Sequence, residues 1–251
     1  MADNALTAVT YVREGHVAVI TMNKPEKMNR LDPELVEGLH QAWRRFMADD
    51  TARVAVLTGG GEKAFSAGAD LNNVPHDLYR AIPSVGVPVD KPVVGAVAGW
   101  CIGGGMVLTT MCDILIAADN TIFSYPEVKI AFSGGLISNL ASRIPHKIAM
   151  ELLLVGDNMP VQRAYEVGYV NKVVPAAELM PTAMEWANKI AATAPMPSRM
   201  IKRFVGEAMP KGPTEQAAIA RVQVEDINNS SDWVEGRAAF REKRAPQFKG
   251  E

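Results

Sequence analysis

The alternation of apolar and polar positions divides the chain into strand and helix segments almost from its start. Two β-branched runs, TAVTYV and HVAVITM, flank REGH and predict a hairpin. The next segment, LDPELVEGLHQAWRRFMADD, changes to helical spacing. Leu35, Val36, Leu39, Trp43 and Phe46 share one face, Asp32 stands at the N-cap and Pro33 at the first helical position. RVAVLTG and KPVVGAVAG read as buried strands that run into glycine, the second leading to a helix that starts near Gly104. DILIAAD and TIFSYPE read as a further strand pair, followed by a helical stretch through GGLISNLASRI. The unit that repeats is strand, strand, helix, so a coil of ββα units fits better than a doubly wound sheet.

From Pro160 onward the pattern becomes helical. PVQRAYEVG, PTAMEWANKIAATA, PSRMIKRFVGEAM, PTEQAAIARVQVEDINN and SDWVEGRAAFREKR are amphipathic and punctuated by Pro, Gly and capping residues. The expected organisation is an α/β core over residues 1–195 and a helical C-terminal region over residues 196–251 that closes a pocket or makes a subunit contact. Met196, Met200 and Met209 are expected to fill gaps in packing there.

Composition narrows the function classes. The 251 residues are 48% hydrophobic and 22% charged, an ordinary globular balance with enough apolar surface for a large core. A net charge of -2 provides no field that gathers nucleic acid or an anionic membrane, so neither is expected as a partner. Every apolar run is cut well short of the ~18 residues of a membrane span, and MADNALTAV lacks the basic flank and apolar core of a leader. Cys101 and Cys112 sit in apolar segments and read as buried thiols of a reducing compartment. A cytoplasmic protein is expected. His16, His40, His76 and His146 have no metal-ligand spacing, and no metal is expected.

Two glycine-containing turns follow buried strands: AFSAGADL, Ala64 to Leu71, and WCIGGGM, Trp100 to Met106. Small residues let backbone N–H groups approach a ligand closely, and two such turns side by side would make an oxyanion hole. Nucleotide-binding motifs are absent, since GGGEK is no P-loop and no GxGxxG opens a helix after the first strand. Ser66 and Ser133 lie in loose likenesses of a nucleophile elbow, with His146 as the one downstream histidine, so a serine hydrolase is a weak alternative.

NKPEKMNRL, AFSAGADL, KPVVGAVAGWCIGGGM, CDILIAADNTIFSYPEVKI and EGRAAFREKRAPQFKG, in this order over nearly the whole chain, resemble the enoyl-CoA hydratase/isomerase, or crotonase, family. The resemblance implies a superhelix of ββα turns, a homotrimer or dimer of trimers, and an acyl-CoA thioester substrate, with coenzyme A as part of the substrate and no other cofactor. It places the oxyanion-hole donors at the N–H groups of Ala69 and Gly104. Ala67, Gly68, Asp70, Leu71, Gly103 and Tyr125 fall beside the substrate, and Phe240 and Lys243 in the tail that reaches coenzyme A, often from a neighbouring subunit.

The chain departs from the hydratase pattern at one catalytic position. The acid of the PE motif is present as Glu127, but the acid expected two residues after the triple glycine is replaced by Val107. Syn addition of water is served well by two carboxylates, whereas moving a double bond needs only one. Double-bond isomerisation with Glu127 as the proton-transfer group is the first expectation. Hydration of a 2-enoyl-CoA, hydration with carbon–carbon cleavage, and acyl-CoA binding without turnover are the alternatives. The stretch from Leu71 to Asp90 is short, and in relatives it helps to cap the acyl chain.

Overall fold

The computed structural model describes residues 8–251; the opening MADNALT, read above as no leader, lies outside the described residues, and with it Thr7 of the first expected strand. β1 (Val9–Glu14) and β2 (Val17–Met22) form the expected antiparallel hairpin. α1 (Pro33–Ala48) begins as the capping residues require: the Asp32 side chain accepts the Leu35 N–H at 2.9 Å, and Leu35, Val36, Leu39, Trp43 and Phe46 are all buried.

The chain then winds. β3 (Val54–Gly59) leads to β4 (Ala64–Ser66), β5 (Val93–Val97) to β6 (Trp100–Ile102) and α2 (Gly104–Thr110), and β7 (Ile114–Ala118) to β8 (Ile122–Ser124). α3 (His146–Val155), β9 (Met159–Pro160), α4 (Val161–Glu166) and β10 (Lys172–Val174) complete the winding part. α5 (Leu179–Ala191), α6 (Pro195–Ala208), α7 (Pro213–Asn228) and α8 (Ser231–Glu242) follow. β3, β5 and β7 are parallel neighbours in a six-stranded sheet of order β1-β2-β3-β5-β7-β10, and β4, β6 and β8 are neighbours in a four-stranded sheet that ends at β9.

One expectation is corrected here. DILIAAD and TIFSYPE are not paired with each other, because β7 lies in the larger sheet beside β5 and β10 while β8 lies in the smaller beside β6 and β9. The turn between them redirects the chain. Thr121 N–H closes it on Ala118 O at 3.0 Å, and Asn120 Oδ1 accepts the Gly99 N–H at 3.2 Å. Each unit thus contributes one strand to each sheet, which is what makes the fold a coil.

Strand periodicity explains why the larger sheet is buried on both faces. Val54, Val56, Val94, Ala96, Ile116 and Ala118 point to one side and pack with Ala183 and Ala187 of α5. The intervening Ala55, Leu57, Leu115 and Ala117 point to the other side, into a core that holds Trp43, Phe46 and Phe123. Cys101 and Cys112 are free and buried, and burial pushes the Cys101 thiol up to about 12, which makes it inert at neutral pH.

α6 is docked by its polar face. Arg199 makes two bonds to Asp90 at 3.0 and 2.9 Å, and Lys202 Nζ reaches Asp113 and the Lys91 carbonyl, each at 2.8 Å. The apolar stripe of the same helix points away from the core. Met196 is 81% exposed and Phe204 54%, with Met200, Ile201 and Val205 beside them, so Met196 and Met200 do not fill gaps within this chain as expected. Among the described residues no helix is long and apolar enough to cross a membrane.

Candidate active site

The two glycine turns meet because β4 and β6 are parallel neighbours. Ser66 Oγ donates to the Asn29 carbonyl at 2.8 Å and accepts the Gly68 N–H at 3.1 Å, which shapes the first turn. Ser66 is fully buried with its proton spent on that carbonyl, so the nucleophile-elbow alternative falls at this serine. Asn29, at φ 48°, braces the same region by donating to the Gly60 and Ala64 carbonyls at 2.9 and 3.0 Å. Gly68 has φ 81°, and a Cβ there would come within 2.7 Å of Ile102 O and 3.1 Å of Gly104 N, so only glycine lets the turns approach this closely. Among the described residues, neither the Ala69 N–H nor the Gly104 N–H is spent on a protein acceptor.

A cavity of about 390 Å³ opens in front of these turns. Ala69, Gly104, Val107, Tyr125 and Glu127 all line it. Gly103 stands directly behind Glu127, since a Cβ on Gly103 would lie 2.5 Å from Glu127 Oε1. Asp70 has a structural role on the outside of the turn, where it accepts the Asn72 N–H at 3.1 Å and faces Arg30 at 3.4 Å. The Ala67 N–H is held by the Met28 carbonyl at 2.9 Å, and Leu71 is exposed beside the turn. Phe240 and Lys243 do not line the cavity. They lie on α8 and at its C-cap, with the Phe240 ring 86% exposed. Arg244 at that helix end is engaged by Glu235 and Glu242, each at 2.6 Å.

Glu127 is set on a short 3₁₀ turn, Pro126–Lys129, that immediately follows β8. The Phe132 N–H donates to its carbonyl at 3.0 Å, which folds the following loop back over the cavity. Glu127 is 6% exposed and its Oε2 has no hydrogen-bond partner. Burial pushes its pKa up to about 7, so this carboxylate is a stronger base than a solvated one. Burial, with the nearby Glu127 charge adding to it, also pushes the Tyr125 hydroxyl up to about 12, which leaves it protonated. Val107 is a buried apolar wall of the same cavity.

The far wall comes from two regions that the sequence marked only in outline, the Leu71–Asp90 stretch and the C-terminal helices. Val74, Pro75 and Tyr79 from the short stretch after the first turn, and Thr214, Ala218 and Arg221 from α7, complete the lining. The pattern gave α7 as an amphipathic helix within the region expected to close a pocket or make a subunit contact, without naming its residues; Thr214, Ala217, Ala218 and Arg221 share one face at helical spacing.

The family model for enoyl-CoA hydratase/isomerase matches residues 12–251. An (E)-benzylidenesuccinyl-CoA hydratase of Thauera aromatica is 35% identical over 258 residues, covering 96% of this chain and 99% of the relative. A carnitinyl-CoA dehydratase of Proteus mirabilis is 34% identical over 252 residues, covering 94% and 96%. Among solved structures, an enoyl-CoA hydratase from Mycobacterium tuberculosis H37Rv superposes with a TM-score of 0.73 at 33% identity, covering 98% of this chain and 100% of that one. A carnitinyl-CoA hydratase from Mycobacterium avium gives a TM-score of 0.76 at 30% identity, covering 98% and 99%. With its two coiled sheets, its paired glycine turns and a family match over nearly its whole length, the chain belongs to the enoyl-CoA hydratase/isomerase, or crotonase, family.

Proposed function

We propose that the chain moves a double bond in an acyl-CoA thioester through an enolate, with Glu127 as the sole proton carrier and the Ala69 and Gly104 N–H groups as oxyanion donors. The observation that supports this most directly is the pairing, in one cavity, of a buried carboxylate that has an unpartnered oxygen with two unspent backbone donors. Glu127 takes the proton from C2 of a 3-enoyl-CoA, the electron pair moves onto the thioester oxygen, and the two N–H groups hold the resulting charge. Removing one such donor in comparable sites costs about 3 to 4 kcal/mol of transition-state stabilisation. The protonated Glu127 then returns its proton at C4, and the product is the 2-enoyl-CoA. No second acid is required, which fits Val107.

Hydration of a 2-enoyl-CoA is the second reading, favoured by the hydratases and dehydratases among the relatives. Here Glu127 would have to activate water and also serve the carbon, a task two carboxylates share better than one. Incubation of 2-enoyl- and 3-enoyl-CoA esters in deuterated water, followed by mass spectrometry, separates the two. Migration with no added water is the expected result, deuterium entering at C4 only as far as the protonated Glu127 exchanges with solvent before it returns its proton, and addition of water as the dominant outcome would establish the second reading instead.

Val107→Glu provides an internal check. It is expected to raise hydration of a 2-enoyl-CoA by at least about tenfold, since general acid–base groups contribute tenfold effects and more. A rate of water addition unchanged by the substitution would count against the alignment of this position with the hydratase acid.

We also propose a trimer or dimer of trimers, with the exposed stripe of α6, Met196, Ile201 and Phe204, as a contact between copies on a helix that Arg199 and Lys202 dock by its other face. In that assembly the exposed Phe240 and Lys243 would reach coenzyme A bound to a neighbouring copy. Truncation before Phe240 is then expected to weaken coenzyme A affinity, measured by calorimetry, without moving the position of the Glu127 pH dependence.

A further inference from the structure

α7 lays one face along the cavity. Thr214, Ala217, Ala218 and Arg221 all line it, a span of eight residues or about 10 Å at the helical rise. At one end Thr214 packs against Gly135, next to the loop that carries Phe132. At the other, the Arg221 guanidinium lies 5.7 Å from the centre of the Tyr79 ring.

Arg221 is fixed along one edge only. Its Nε donates to Glu225 Oε1 at 3.1 Å, and the same oxygen accepts the Tyr79 hydroxyl at 2.7 Å. Its two terminal nitrogens have no protein acceptor among the described residues. The neighbouring charges are otherwise matched: Arg80 is paired with Glu37 at 3.1 Å and with Asp77 at 3.2 Å, while His76 adds a rim imidazole. Between this end and Glu127 the walls are apolar, with Val74, Leu78, Val107 and Leu136.

We infer that Arg221 reads a second carboxylate at the outer end of the acyl group, so that dicarboxylic acyl-CoA thioesters are preferred over monocarboxylic ones of the same length. The inference rests on the acyl-CoA reading above. An apolar corridor with a fixed cation at its far end suits an acyl chain that is apolar along its length and anionic at its tip. The free fork of the guanidinium matches carboxylate geometry, whereas an ammonium tip would meet like charge. The Arg221 side chain is 61% exposed, so water screens it and the expected discrimination is modest, about tenfold in affinity.

The test is calorimetric binding of suberoyl-CoA and octanoyl-CoA, saturated esters with no double bond to move, to the wild type, Arg221→Gln, Arg221→Lys and Glu225→Gln. The expected result is tighter binding of suberoyl-CoA to the wild type. The suberoyl-to-octanoyl affinity ratio should fall about tenfold in Arg221→Gln, be partly kept in Arg221→Lys, and rise in Glu225→Gln, which removes the competing carboxylate while keeping an acceptor for Tyr79. Equal affinities in the wild type, or a ratio that Arg221→Gln leaves unchanged, would overturn the inference alone. Failure of both esters to bind the wild type would overturn the acyl-CoA reading, and this inference with it.

Discussion

Glu127→Gln is expected to reduce turnover by at least about a hundredfold, the low end of what a general acid–base group supplies, while leaving the affinity for a coenzyme A ester within about threefold. The amide keeps the shape of the side chain and cannot carry a proton from C2. Two further readouts follow from the burial of the carboxyl group. In the wild type kcat/KM should rise with pH through about 7 and then level off, because the base must be ionised to act. The pKa is raised from 4.5 to about 7, so the folded state holds the proton more tightly than the unfolded chain does. The stability from that proton is fully present below 4.5 and is lost as pH rises through about 7. The glutamine variant has no such dependence. It should therefore melt higher than the wild type above that range, with the difference shrinking as pH falls towards 4.5. A variant that is inactive without this pattern of stabilisation would mean that the carboxyl group is not desolvated as described. Full activity would remove Glu127 from the reaction altogether.

What the sequence made legible was local. Asp32 and Pro33 announce the start of α1 because capping and proline geometry act within a few residues. Gly103 to Gly105 and the PE pair announce two sides of the site because their chemistry is written in consecutive residues. The partition of β7 and β8 between two sheets was not legible, since both are short β-branched runs and the choice lies in which neighbour each finds. The individual residues that meet at the far wall were not legible for the same reason: the bond from Tyr79 to Glu225 joins residues 146 positions apart. The neighbours Tyr125 and Pro126 point from the sequence alone to a partly desolvated Glu127, as the structure has it; the loop that the Phe132 N–H folds back over the cavity was not legible.

Gly103→Ala is expected to lower kcat by about a hundredfold, the scale of loss when a reacting group is displaced by about 1 Å. Two physical causes act together. Gly103 holds φ 53° and ψ -114°, a conformation that a side chain strongly disfavours. Its added Cβ would also lie 2.5 Å from Glu127 Oε1, inside any non-bonded contact, so the carboxyl group must move. The backbone strain should lower stability by about 1 to 3 kcal/mol, read from the urea midpoint. Strain alone would slow the enzyme whichever side chain occupied position 127, so the double variant decides between displacement and general damage. With Glu127→Gln already in place, Gly103→Ala should still cost stability but take almost nothing more from the residual rate, since the proton carrier it displaces is gone. Additive losses in rate would mean that Gly103 acts by shaping the turn that presents the Gly104 N–H, and that the clash of the added Cβ with Glu127 is incidental.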